Sequence, residues 1–231
     1  MDKLKLFIVL FISVLVGILL FSLTRSWIVL NRGLEVKEQE PAREVIKQKK
    51  NDNDLQSARI LWNDFLYYAI DLNRESGGYG PDELLSQGKN LVFINIKNGK
   101  KRRVFQKNIY IHDFFPGSFS RTRERGAYEE SETEALDIGK KMVILAADRD
   151  VNEDGFLNRK DGLGVFVYDP YLDDLTMVTP AQYSFERLHF NSSPGHLVLT
   201  LKKMDEDLPD NERLYLFLYN ANRKKGKLIS P

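Results

Sequence analysis

Residues 140–169 read KKMVILAADRDVNEDGFLNRKDGLGVFVYD. Two apolar runs, MVILAA and GVFVYD, flank a segment rich in aspartate and asparagine that carries Gly155. Each run has strand length and is rich in β-branched or aromatic residues. The stretch therefore reads as strand, acidic loop, strand. A polar turn and a further short strand, LDDLTMVTP, follow it.

The same order recurs on both sides. Segments 90–105 (NLVFINIKNGKKRRVF), 164–180 (GVFVYDPYLDDLTMVTP) and 213–231 (RLYLFLYNANRKKGKLISP) each open with a short apolar run, turn, and close with a second run. This is the pattern of a hairpin, and Asn98-Gly99 is a tight-turn dipeptide. Upstream of each lies another strand pattern: ARILWNDFLYYAIDLN, KKMVILAADRD and GHLVLTLKKMDED. Acid-bearing loops join the upstream strands to the hairpins. YSFERLHF supplies a leading strand to the last unit. The expected fold is mainly β, with antiparallel repeats over residues 55–231, divided into units 55–106, 107–180 and 181–231.

Four antiparallel strands per unit resemble a β-propeller blade, as in the WD-repeat and Tol-system propellers. The resemblance implies an incomplete or open propeller-like stack, because the smallest closed propeller has four blades. An open curved stack, a sandwich and one part of an oligomer are the alternatives, each with edge strands to cover. The strand, the aspartate-rich loop and the hairpin ending LTMVTP also resemble a loose set of bacterial single-anchor membrane proteins, a resemblance that implies no activity.

Residues 6–23, LFIVLFISVLVGILLFSL, carry no charge. At about 1.5 Å per residue they span roughly 27 Å, close to a hydrocarbon core of about 30 Å. A cleaved signal peptide would have a shorter apolar core and small residues at a cleavage site. Here SLTRSWIVLNRG follows instead, so residues 1–32 read as a retained transmembrane anchor. Lys3 and Lys5 precede the helix, and Arg25 and Arg32 follow it, so charge barely sets orientation. A short head before a long domain favours a single-pass protein of the inner (cytoplasmic) membrane, with its C-terminal domain periplasmic, that is, extracytoplasmic. Residues 33–54 mix charges with few large apolar residues and read as a solvated linker, or a short helix ending near Lys50.

The 231 residues carry 34 basic and 33 acidic side chains. Such a balance argues against a nucleic-acid partner, which would select a clustered basic surface. With no cysteine there is no disulfide, thiol nucleophile or zinc–thiolate site. His112, His189 and His196 sit in no metal-ligand spacing, and no hydrolase, kinase or phosphate-loop signature occurs. Trp62, Phe65, Tyr67 and Tyr68 read as core aromatics. Residues 121–134, RTRERGAYEESETE, read as an exposed loop or short helix.

The sharpest signal is residues 150–161, DVNEDGFLNRKD. Calcium takes six to eight hard oxygens, and a 12-residue loop supplies them from positions 1, 3, 5, 7, 9 and 12, with glycine at 6 for the turn. Asp150, Asn152 and Asp154 occupy 1, 3 and 5, and the Phe156 carbonyl is 7. Leu157 is an apolar plug at 8, Asn158 is 9 and Asp161 is 12. With aspartate in place of the closing glutamate, the loop resembles that of dockerin modules more than that of sensor EF-hands. The resemblance implies Ca2+ on Asp150, Asn152, Asp154, Phe156, Asn158 and Asp161. EF-hands and dockerins place a helix beside the loop, whereas strand patterns flank this one. An acidic β-turn that only keeps the connection soluble is the rival reading. DLNRESGG and MDEDLPDNE are poorer copies without the turn glycine in register.

The functional expectation is an interaction or scaffold module of the cell envelope, joined to the membrane by its N-terminal helix and to a protein partner or further copies by its sheets. A calcium-stabilised envelope hydrolase acting on glycan or peptide is the alternative.

Overall fold

The computed structural model of the chain describes residues 34–35, 52–123, 131–205, 209 and 212–229. The apolar stretch 6–23 lies outside them, as does most of the expected linker. Among the described residues no helix is long and apolar enough to cross a membrane.

The elements, in chain order, are β1 (Leu34–Glu35), α1 (Asp52–Gln56), β2 (Arg59–Leu61), β3 (Phe65–Ile70), β4 (Asn73–Ser76), β5 (Leu84–Gln87), β6 (Asn90–Asn95) and β7 (Lys101–Arg103). Then come β8 (Tyr110–Arg123), β9 (Glu132–Ala147), β10 (Phe156–Leu157), a 3-10 turn (Arg159–Asp161), β11 (Gly164–Asp169) and β12 (Asp174–Met177). The last four are β13 (Tyr183–His189), β14 (His196–Lys203), β15 (Leu214–Asn220) and β16 (Lys225–Ile229).

The described part is mainly β and every strand pair is antiparallel. Three four-stranded sheets follow one another: β2-β3-β6-β7, β12-β11-β9-β8 and β13-β14-β15-β16. We call them the N-terminal, central and C-terminal sheets. The β4–β5 hairpin and the β1–β10 pair are two-stranded additions.

The run MVILAA explains the layering. A strand buried on one face alternates; one buried on both reads as continuously apolar. Met142, Ile144 and Ala146 of β9 join Phe65, Tyr67, Leu91 and Phe93 in one core cluster. Val143, Leu145 and Ala147 join Leu197, Leu199, Leu201 and Phe217 in the other. The central sheet is thus packed on both faces. Phe166 and Tyr168 of β11 face the N-terminal sheet, and Val165 and Val167 face the C-terminal one. Leu157 plugs the first cluster from the acidic loop and is 5% exposed.

Three sequence expectations need correction. ARILWNDFLYYAIDLN is not one strand, because Trp62 and Asn63, at φ of 51° and 61°, turn the chain between β2 and β3. Residues 73–76 of the expected acidic loop pair with β5 as β4. In the charged stretch 121–134, Arg121–Arg123 ends β8 and Glu132–Glu134 begins β9, with Arg121 opposite Glu134. A charged run forms strand here because its two ends neutralise each other across the ladder.

β8 is the edge of the central sheet and carries two register shifts, between Ile111 and Asp113 and between Pro116 and Ser118. Proline is tolerated at such edges and bulges because a ladder donor is not required there. Gly117 fits the second bulge, since a Cβ would lie 2.6 Å from Ile138 Cγ1. The first bulge re-aims His112 and Asp113, and bulges commonly serve to re-aim side chains.

Candidate metal loop and the adjoining clefts

The loop between β9 and β11 is shaped by its own short side chains. Gly155, at φ 81°, donates its N–H to Asp150 Oδ2 at 2.8 Å. Asp154 receives the Phe156 N–H on Oδ1 at 2.9 Å, and its own N–H goes to Asn152 Oδ1 at 3.1 Å. Asn158 caps the 3-10 turn, its Oδ1 accepting the Lys160 N–H at 2.8 Å. Asp161 reciprocates through Oδ2, which accepts the Asn158 N–H at 2.8 Å. Its Oδ1 accepts the Val151 N–H at 3.0 Å, tying the end of the loop to its start. Gly162, at φ 76°, stops the turn and β11 begins. The exit from the loop is therefore one helical turn and then a strand, where the sequence suggested strand alone.

The six expected ligands fall into two groups. Asn158 and Asp161 are buried, at 7% and 2% exposure, and Asp150 is half-buried. Asn152 and Asp154 are exposed and hydrogen-bonded to each other, and Phe156 is half-buried in β10. Among the described residues no group of three or more His, Cys, Asp or Glu side chains is gathered as a ready metal cluster. One atom does ask for a partner: Asp150 Oδ1 is enclosed and accepts no hydrogen bond. Leaving such an acceptor unsatisfied costs about 1–3 kcal/mol, more when it is charged. The donor set is hard oxygen, and each Asp161 oxygen retains acceptor capacity beyond its one N–H bond. This chemistry fits calcium better than magnesium, which demands a tight octahedron and keeps its waters.

β10, at positions 7 and 8 of the loop, pairs with β1, with Leu34 opposite Leu157 and Glu35 opposite Phe156. The loop thus holds the chain that follows the apolar stretch.

Two clefts flank the β4–β5 hairpin. The smaller, about 250 Å³, lies between the hairpin and the loop and is lined by His112, Tyr79, Arg159 and Glu186 among others. Tyr110 Oη lies 3.2 Å from His112 Nδ1. Burial and the Arg159 charge push the imidazole down to about 4, so it stays neutral near pH 7. Its neighbour Asp113 is fully buried. Asp113 Oδ2 accepts the Tyr79 N–H at 2.9 Å, and Oδ1 accepts the Ser86 N–H at 3.0 Å. Burial pushes this carboxyl up to about 6 against those stabilising N–H bonds.

The larger cleft, about 400 Å³, holds Arg121, Arg123, Arg187, Glu83 and Glu134. Arg121 gives Nε–H to Glu134 at 2.8 Å, reaches the Gly78 and Gly80 carbonyls, and stacks 5.0 Å from the Phe190 ring centre. Its side chain is 7% exposed. Glu83 Oε1 is 3.8 Å from Arg121 Nε. Both carboxylates of this cleft therefore lie against the same guanidinium.

No motif in the sequence marks Asp113, His112 or Arg121 as organising residues. The hairpin partners of Asp113 and Arg121 stand 27 to 43 positions away, and no local spacing marks them.

The fold and the loop define a class: a mainly β protein of antiparallel sheets with an acidic loop set between two strands. No protein-family model matches the chain, and no curated protein matches it.

Proposed function

We propose that this chain is a single-pass membrane protein whose extracytoplasmic β domain is an interaction or scaffold module of the cell envelope, stiffened by one calcium ion in residues 150–161. Residues 6–23 are the anchor. The three sheets are propeller-like blades that present rigid faces and edges to a protein partner.

The observation that carries the reading is the enclosed, unpartnered Oδ1 of Asp150 at the first position of a loop whose sixth, ninth and twelfth residues already hold their turns. Asp150, Asn152, Asp154, Asn158, Asp161 and the Phe156 carbonyl would hold the ion. Its charge would satisfy Asp150 and offset the loop's four carboxylates, which share residues 150–161 with two cations, Arg159 and Lys160. Because β9 and β11 leave the loop directly into the central sheet, ordering the loop stiffens that sheet. A binding rather than hydrolytic role is supported by the larger cleft, where Glu83 and Glu134 lie against Arg121 instead of standing free as an acid and base.

The test is thermal melting of the full chain in detergent with calcium, magnesium or chelator. A ligand that binds only the folded state raises the melting temperature by mass action. Calcium is expected to raise it in the millimolar range, where extracellular modules bind. Equal melting in calcium and chelator defeats the metal reading.

A further inference from the structure

Strand alternation splits the C-terminal sheet into two faces. Leu197, Leu199, Leu201, Phe217 and Tyr219 enter the core. The opposite face carries Val198, Leu214, Leu216, Leu218 and Ile229, with Leu218 beside Val198 and Leu216 between Thr200 and Ile229. Leu214, Leu216 and Ile229 are 41%, 38% and 37% exposed. Register places Lys202 beside Leu214, Lys227 beside Leu218 and Lys225 beside Asn220, all on this same outer face.

The charge here is lopsided. Residues 213–229 carry five Lys or Arg and no acid, four of them within 223–227 about the β15–β16 turn, whereas residues 204–212, the β14–β15 connection, carry five acids. Lys224 is paired with Asp174 and Lys203 with Asp205. Arg223, Lys225 and Lys227 are exposed, and none has a carboxylate partner among the described residues. An apolar stripe bordered at its β15–β16 end by the unneutralised Arg223, Lys225 and Lys227 asks for a partner that is apolar inside and anionic at its surface. Two such faces brought together would oppose lysine to lysine, which works against a second copy. A bilayer with anionic headgroups satisfies both features, because lysines extend to the headgroups while leucines lie at the acyl boundary.

We infer that the outer face of the C-terminal sheet is a docking surface for an anionic phospholipid bilayer. Leu214, Leu216 and Ile229 make the apolar contact, and Arg223, Lys225 and Lys227 read the headgroups. The inference rests on the membrane-anchored reading, since an anchor raises the effective concentration of lipid at this face.

Absence of cysteine makes site-specific labelling direct. The full chain, as Leu216→Cys or Ile229→Cys with an environment-sensitive dye, is reconstituted into nanodiscs of phosphatidylcholine, alone or mixed with phosphatidylglycerol. The expected result is a blue shift in the anionic discs that raised salt reverses. Arg223→Glu/Lys225→Glu/Lys227→Glu should abolish it. A dye at Ile60→Cys, on the far face of the N-terminal sheet, should not respond. Equal emission in both lipids overturns the inference, as does a shift in lipid-free detergent that grows with protein concentration, which would indicate a second copy. Retention in the discs without dye response defeats docking alone. If the chain is not retained in either disc, the anchor reading fails, and flotation with anionic vesicles then decides docking, co-flotation supporting it and its absence overturning it.

Discussion

His112 and Asp113 are neighbours in β8 with opposite responses to burial: the imidazole is pushed down to about 4 and the carboxyl up to about 6. The bulge between Ile111 and Asp113 sends them to different surroundings. His112 lines the cleft with Arg159, and Asp113 takes the backbone N–H groups of Tyr79 and Ser86. Folding is linked to pH through each, with opposite sign. The folded state binds the Asp113 proton more tightly than the unfolded chain, so its contribution is greatest below the unfolded value of 3.8 and is lost as pH rises through about 6. The folded state binds the His112 proton less tightly, so its contribution is present above 6.5 and is lost as pH falls toward 4. Over the shared window the slopes largely cancel. His112→Asn should unmask the carboxyl: from pH 6.5 to 4.5 its melting temperature should rise relative to the parent protein. A fall in that difference would contradict the assignment.

Asp113→Asn tests the anchor itself. The amide keeps one acceptor for Ser86 and Phe114 but turns a donor toward the Tyr79 N–H. The loss should be about 1–3 kcal/mol by chemical denaturation, the range for a buried group left unpaired. Hydrogen exchange at Tyr79 and Ser86 should quicken before that of the central sheet. Uniform quickening would mean that Asp113 supports the whole fold rather than the hairpin.

Arg121 and Glu134 form a half-enclosed ion pair that also fixes the Gly78–Gly80 turn. Removing one partner leaves the other charge enclosed with only a longer 3.8 Å contact, Arg123 for Glu134 or Glu83 for Arg121, and costs up to about 3–5 kcal/mol, whereas apolar replacement of both is often near neutral. Arg121→Met and Glu134→Leu should each destabilise strongly, and the double variant should recover most of the loss. Recovery should be incomplete, because the guanidinium bonds to the two glycine carbonyls are not replaced. Additive losses would show that the pair is not coupled.

What the sequence displayed and what it concealed separate by distance along the chain. The mainly β, antiparallel character was legible because strand-length runs of β-branched and aromatic residues lie between turn signals. MVILAA went further, its unbroken apolarity matching burial on both faces of β9. The turn at Trp62 and Asn63 was hidden because tryptophan does not mark a left-handed turn and the lone Asn63-Asp64 signal sits between apolar runs, so the run looked continuous. The charged ends of β8 and β9 looked like loop because their neutralising partners face them across the ladder. In residues 150–161 the caps and turns come from residues within a dozen positions of each other, which is why the spacing alone suggested a site. The Asp113 and Arg121 anchors, which reach back to the β4–β5 hairpin, have no such local mark.

The loop carboxylates should separate under mutation according to what each already accepts. Asp161 uses both oxygens for backbone N–H groups, so Asp161→Asn should destabilise the protein by about 1–3 kcal/mol even in chelator. Asp150 uses one oxygen, and Asp150→Asn can keep the Gly155 bond through its amide oxygen. In chelator that variant should melt within about 0.5 kcal/mol of the parent or above it, because an enclosed, unpaired charge is gone. With calcium the order should change: Asp150→Asn should lose most of any calcium-induced rise in melting temperature, since the ion's charged partner at position 1 is missing. Gly155→Ala is the control for backbone alone. A Cβ there meets nothing within 4 Å, so its cost of about 1 kcal/mol would come from the left-handed φ of 81° and should be the same with and without calcium. Should Asp150→Asn keep the full calcium response, the orphaned oxygen is not a ligand, and the unpaired acceptor needs another partner.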